Sequence, residues 1–222
     1  MQLPTDHRAP LLHALQEYRA FWRPNRLGFD LCTTPEEEAA FTQLFRFVAE
    51  TPTCFDRTHL PGHITGSAVV ASPELDRIVL THHRRLGKWL QLGGHSDGHH
   101  LTWEVAMREA EEESGLGRLE FADLKRLLQP SDPNTGFAIG NDQIPLIFDI
   151  DCHTIPARPN EPEHIHYDVR FLILAPGNQT PVVSEESHDV AWFTIAQANE
   201  ITREISMRRQ LTKLQLLQAR SR

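Results

Sequence analysis

Two hydrophobic periodicities divide the chain. Near the N-terminus Leu11, Leu12, Leu15 and Tyr18 recur at helical spacing. A second helical apolar face, Phe41, Leu44, Phe45, Phe47 and Val48, follows Thr34-Pro35-Glu36. That tripeptide is a good helix start: an N-cap, then proline at the first helical position, then acidic residues. From residue 64 the pattern changes. Residues 64–71 are small and β-branched, residues 77–81 form a second apolar run, and the turn-forming Ser72-Pro73-Glu74-Leu75-Asp76 separates them, so two strands are predicted. Helical spacing returns with Trp103, Ala106, Met107 and Ala110, and Thr102 is a plausible N-cap for that segment.

The second half repeats the alternation of types. Residues 130–136 are dense in turn formers and read as a loop. The apolar run 144–150 predicts a buried strand, and residues 154–162, with Pro156, Pro159 and Pro162, a hairpin connection or flap. Strict alternation in the first half of 164–174 predicts a strand with His164, His166, Asp168 and Arg170 on one face and Ile165, Tyr167, Val169 and Phe171 on the other. Residues 195–200 and 205–219 read as helices. The last is basic, with Arg208, Arg209, Lys213 and Arg220, and is expected to be a solvated or dimer-facing surface. The pattern is that of an α/β protein: a helical extension over residues 1–58 and an α/β domain over 59–222. The extension could cover one side of the sheet, cap a cleft or mediate dimerisation.

Composition narrows the class. The chain has 222 residues, 40% of them hydrophobic and 23% charged, as in a water-soluble domain with one sizeable core. A formal net charge of −8 argues against a nucleic-acid polymer as partner. It leaves room for a small anionic substrate, because a bound cation inverts the local charge. There is no apolar run of bilayer length and no secretory h-region, so no membrane association is expected. Cys32, Cys54 and Cys152 are far apart and form no C-x-x-C pair, which points to a reducing, cytoplasmic location without structural zinc.

The chemistry concentrates in residues 93–116. A Gly-Gly-His-Ser-Asp-Gly-His-His loop leads into the helix that ends at Gly115. Glu109, Glu112 and Glu113 are three and four residues apart and share a face. Like charges at that spacing repel by a few tenths of a kcal/mol per pair, so helix stability alone would not select them. A divalent cation removes the repulsion, and an all-oxygen donor set suits Mg²⁺ or Mn²⁺. Arg108, one turn before Glu112, can hold carboxylates in place. The competing reading is a solvated acidic helix face.

This segment resembles the Nudix box of the MutT-like hydrolases, G-x5-E-x7-R-E-U-x-E-E-x-G-U with U a bulky aliphatic. Gly94, Arg108, Glu109, Glu112, Glu113, Gly115 and Leu116 match at the required spacing, and Ala110 is a weaker match at U. The first glutamate position holds His100, a departure that touches support of the loop more than the metal ligands. The resemblance implies a Nudix-type α/β/α sandwich with a mixed β-sheet and Mg²⁺ (or Mn²⁺) as cofactor. The ligands it implies are Glu109, Glu112, Glu113 and the backbone of Gly93. It also implies a downstream loop glutamate before Trp192-Phe193 that completes the metal site or acts as base. Glu186 is the first choice for that role and Glu185 the reserve. The implied reaction is metal-dependent hydrolysis of a nucleoside diphosphate linked to another moiety.

Further candidates lie outside the box. His95 directly follows the glycine pair and could donate to a phosphate or a leaving group. The face of His164, His166, Asp168 and Arg170 offers substrate-phosphate contacts or a second metal site, against the competing reading of a solvated strand face. Two other functional classes stand beside hydrolysis. One is a ligand-binding sensor on the same fold that has lost catalysis. The other is an enzyme like isopentenyl diphosphate isomerase, which needs an active cysteine near the glycine-histidine stretch, where this chain has none.

Overall fold

The computed structural model describes residues 6–22, 34–128, 144–159, 161–185 and 187–220. Two helices open it: α1 (Ala9–Trp22) and α2 (Pro35–Glu50). Thr34 caps α2 as its sequence predicts, its hydroxyl accepting the Glu37 N–H with Pro35 in the first turn. Then come β1 (Gly62–Ala71), β2 (Arg77–His83), β3 (Lys88–Leu90), β4 (Leu92–His95) and α3 (Thr102–Ser114). The chain continues through β5 (Glu120–Phe121), α4 (Leu124–Leu128), β6 (Asp149–Ile155), β7 (His164–Leu174) and β8 (Ser187–Thr194). It closes with α5 (Ile195–Ile201) and α6 (Ile205–Arg220).

The strands form one mixed sheet with β1 at its centre. β1 pairs in parallel with β7 from Gly62↔Ile165 to Ala71↔Leu174, and antiparallel with β4 from Thr65↔His95 to Ala68↔Leu92. β2 joins at Ala71↔Ile78 and carries β3 and β8 on its own flanks, while β6 and β5 pair antiparallel with β7. Paired residues share a face, and successive residues alternate. Gly66 and its partner Gly94 face α3: a Cβ at Gly66 would meet the Thr102 carbonyl and Val105. The neighbouring Ser67, Arg170 and Asp149 face the other way, where α6 contacts Asp149 through Arg209 and Lys213. The sheet therefore lies between helices, as expected.

The extension covers the sheet. Phe47 of α2 stacks on Tyr167 at 3.9 Å, and the Trp22 indole of α1 donates to the Ile147 carbonyl and packs edge-on against Phe148. Residues of α1 and α2 belong to the same buried cluster as the strands. Among the described residues no helix is long and apolar enough to cross a membrane.

Three expectations are corrected. The strand predicted over 144–150 begins only at Asp149. Ile147 and Phe148 are buried without strand structure, and a short apolar run records burial rather than strand. The basic last helix is not a solvated surface throughout: Arg209 and Lys213 point inward onto carboxylates, while Arg208 and Arg220 are exposed. The alternating face of β7 is not solvated either, since His164, Asp168 and Arg170 are buried. The loop expected at 130–136 lies outside the described residues.

Candidate active site

Helix α3 positions the carboxylates, and its ends set its direction. Its N-cap is Leu101, with no side-chain hydrogen bond. Thr102 is the first helical residue, and its hydroxyl is buried without a partner, so it does not cap. At the other end Gly115 adopts the left-handed conformation (φ 63°) and returns its N–H to Glu111, while Val182 N–H donates to the Ser114 carbonyl. The buried stripe comprises Thr102, Val105, Ala106, Ala110, Glu113 and Ser114. Trp103 and Met107, expected on it, are only partly buried at its margin. The three glutamates therefore form a gradient. Glu113 is 8% exposed and belongs to the sheet-facing stripe, the Glu109 side chain is 14% exposed, and that of Glu112 is 62% exposed.

Strand β4 and Arg108 hold this edge. Arg108 pairs with Glu109 at 2.9 Å and Glu112 at 3.4 Å, and also donates to the His95 carbonyl at 3.4 Å. The Gly93 N–H donates to Glu113 at 3.0 Å. Space demands glycine at position 93, while at Gly94 the Glu109 carboxylate lies against the backbone. A Cβ at Gly93 would lie 2.2 Å from the Ser67 hydroxyl, and one at Gly94 would lie 2.6 Å from the Glu109 carboxyl carbon. One guanidinium is shared between Glu109 and Glu112, and Glu113 accepts from a backbone amide. That oxygen-only group of carboxylates against a bare strip of backbone fits a hard divalent ion such as Mg²⁺ or Mn²⁺.

The NUDIX domain family matches residues 62–214 of the chain. The chain belongs to this family. No curated protein matches it. Among solved structures, it is similar to a NUDIX-family hydrolase from Clostridium perfringens. That pair shares 23% identity over 71% of this chain and 99% of that one, at a TM-score of 0.46. A C. elegans Ap4A hydrolase complex matches at 16% identity over 70% and 97% of the two chains, with a TM-score of 0.49. The E. coli dihydroneopterin triphosphate pyrophosphohydrolase matches at 14% identity over 67% and 91%, with a TM-score of 0.45.

Where the NUDIX motif carries its first glutamate, this chain brings in the extension. The His100 ring lies 4.8 Å from that of His7 and 5.8 Å from that of His99. His99 in turn contacts Glu104 at 2.7 Å. Partial burial and the neighbouring His7 and His99 lower the His100 pKa. Glu186 lies outside the described residues, and Glu185 beside it is exposed. Trp192 of the downstream element donates its indole N–H to the Gln179 carbonyl. The Gln179 side chain bonds both backbone groups of Gly117, tying β8 to the segment after α3.

The other face of the sheet carries chemistry that the sequence reading only partly anticipated. Register places His63 beside His166, Thr65 beside Asp168 and Ser67 beside Arg170, while β6 adds His153, Asp151 and Asp149, and β4 adds His95. His63, Thr65, Ser67, Asp149, Asp151 and His153 were not singled out from sequence. Their signal was present as polar residues at every second position of three strands. Histidines gather at one end. His63 lies about 5 Å, ring to ring, from His95, His164 and His166, and His153 lies 5.5 Å from His166. Burial pushes His63 down to about 4 and His166 to about 2, reinforced by neighbouring histidines, and burial lowers His95 as well. His63 and His166 are neutral at pH 7 and offer a phosphate no positive charge.

Asp168 and Arg170 have another occupation than the expected substrate contact. Asp168 accepts from Thr65 and Ser67, and Arg170 is 2% exposed and engages Asp168 (2.7 Å), Asp149 (3.0 Å) and Asp151 (3.2 Å). Arg209 and Lys213 reach the same Asp149, and Lys213 also pairs with Glu37, which bonds the Tyr18 hydroxyl. Burial raises the Cys54 and Cys152 thiols to about 12. Neither is activated, which weighs against isomerase-like chemistry by a described cysteine.

Proposed function

We propose that this protein hydrolyses a phosphoanhydride, in a nucleoside diphosphate linked to another moiety, by attack of water at phosphorus. The reading is carried by one observation. Three carboxylates edge α3, with one arginine between two of them and the third on the Gly93 amide, and the Glu109 carboxylate lies against the Gly94 backbone. Glu109, Glu112 and Glu113, with the Gly93 carbonyl, would hold Mg²⁺ or Mn²⁺, and Glu186 is the further ligand or base that the family motif suggests. When bound, the metal neutralises charge on the phosphates and acidifies a water.

The chain's own residues orient and move protons. Arg108 fixes Glu109 and Glu112 relative to β4 through the His95 carbonyl. As the water oxygen bonds to phosphorus and the anhydride P–O bond breaks, a glutamate takes the water's proton. Glu112, the most exposed of the three, is best placed to meet solvent. The leaving phosphate carries off the bonding electron pair.

The test is a screen of the full chain against nucleoside diphosphates linked to sugars and against dinucleoside polyphosphates, with Mg²⁺ or Mn²⁺. Metal-dependent release of two phosphorylated products is expected. Glu112→Gln should lower turnover by about 10²–10⁴-fold, with stability changed by less than about 0.5 kcal/mol. Full activity in that variant, or no metal-dependent hydrolysis across the screen, would overturn the reading.

A further inference from the structure

We infer that His63, His95 and His166 form a second metal site, for one transition-metal dication of the Zn²⁺ type, on the face of the sheet opposite α3. One ligand nitrogen from each of the three lies within 4.8 Å of the others. A tetrahedral ion with bonds of about 2.0–2.1 Å needs nitrogens roughly 3.3 Å apart, which side-chain adjustments of about 1 Å supply. The three histidines come from β1, β4 and β7, adjacent strands whose register fixes the ring positions.

A second observation is independent of that spacing. His63 is 1% exposed, and neither ring nitrogen has a hydrogen-bond partner. A backbone group of His59 lies close enough to favour the protonated ring slightly but outside hydrogen-bonding geometry. An imidazole buried with both nitrogens unmet carries a desolvation cost of about 1–3 kcal/mol per group with no return. A bound cation supplies the missing partner.

The donor set selects the ion. Three imidazoles suit Zn²⁺, Ni²⁺ or Cu²⁺ and not Mg²⁺, which prefers oxygen. Three ligands also leave a coordination position open. Outer support is in place. His164 Nδ1 donates to the Pro162 carbonyl at 2.9 Å, and its Nε2 lies 3.2 Å from His166 Nε2, so His164 helps to hold the His166 ring in place. Such a relay orients ligating histidines in metal sites. Occupancy would also brace β4, whose Gly93 N–H and His95 carbonyl hold Glu113 and Arg108.

The experiment uses the full chain, stripped by chelator and returned to buffer with excess Mg²⁺ so that hard-ion sites are filled. Zn²⁺ is titrated by calorimetry, and Co²⁺ is added as a coloured substitute. One equivalent should bind over the Mg²⁺ background, with visible ligand-field bands and a raised Tm. His95→Ala and His166→Ala should each weaken binding by at least about 10-fold, and Glu112→Gln should leave it unchanged. X-ray absorption at the zinc edge of the unmodified protein should show three imidazole nitrogens, so the inference stays testable if a histidine variant does not fold. No binding above background, wild-type binding in the histidine variants, loss in Glu112→Gln, or an oxygen-only shell would each overturn it. None of these readouts needs hydrolysis, so this site and the proposed reaction stand or fall separately.

Discussion

The acidic edge of α3 and the ion network beneath α6 use the same kinds of side chain and differ in their surroundings. On α3, Arg108 is shared by two glutamates of very different exposure. In the network Glu37, Asp149, Asp151 and Asp168 meet Arg170, Arg209 and Lys213, nearly charge for charge and almost without water. The titration behaviour follows. Burial alone would raise Asp149, but Lys213, Arg209 and Arg170 outweigh it and hold the carboxyl well below the usual carboxylate range. Burial alone would favour neutral Arg170, and Asp168, Asp151 and Asp149 reverse that. Matched charges fasten the extension and the last helix to the sheet. On α3 the carboxylates share one guanidinium and a backbone amide, the arrangement on which the proposed metal site rests.

That contrast can be broken from either side. Lys213→Met leaves Glu37 and Asp149 short of a cation in a dry site, and should cost about 3–5 kcal/mol in urea denaturation, with turnover per folded molecule little changed. A loss below 1 kcal/mol would mean that the network is not what joins α6 to the sheet.

Gly94→Ala probes the other region. Its new methyl collides with the end of a flexible side chain, the Glu109 carboxylate, rather than with backbone. The fold should survive, while metal affinity or activity should fall about 10–100-fold, read as metal-dependent turnover beside an unchanged Tm.

A smaller effect concerns acid. The folded pKa of Asp149 lies below its unfolded value, so this carboxylate stabilises the fold fully above about pH 4. That contribution is lost as pH falls through the lower folded value. Lys213→Met removes the strongest lowering charge and raises that folded value, so the acid-unfolding midpoint should move to higher pH.

Much of the candidate site was legible because it is local. The spacing of Arg108, Glu109, Glu112, Glu113 and Gly115 is a property of one helix, and helix geometry converts it directly into a face. Gly93 and Gly94 were legible as part of the same contiguous motif. The reading failed where partners are distant in sequence. Arg209 and Lys213 looked like a solvated basic face because nothing nearby in the chain announces Asp149, some sixty residues away. Asp168 and Arg170 were correctly placed on one face of a strand, but a solvated face, a substrate face and a buried ion network share one alternating pattern. His63 was passed over because a lone histidine before a β-branched run carries no signal until β4 and β7 lie beside it.

What this sequence determined by itself is therefore periodic or contiguous: the order of helices and strands, the acidic helix behind its glycine loop, and the family that this motif marks. The tertiary structure alone decided which polar residues are buried, which charges cancel, and that histidines from three strands meet. Burial and pairing depend on which strand lies beside which. Sheet register settles that across a hundred residues of intervening chain, as where Thr65 lies against Asp168.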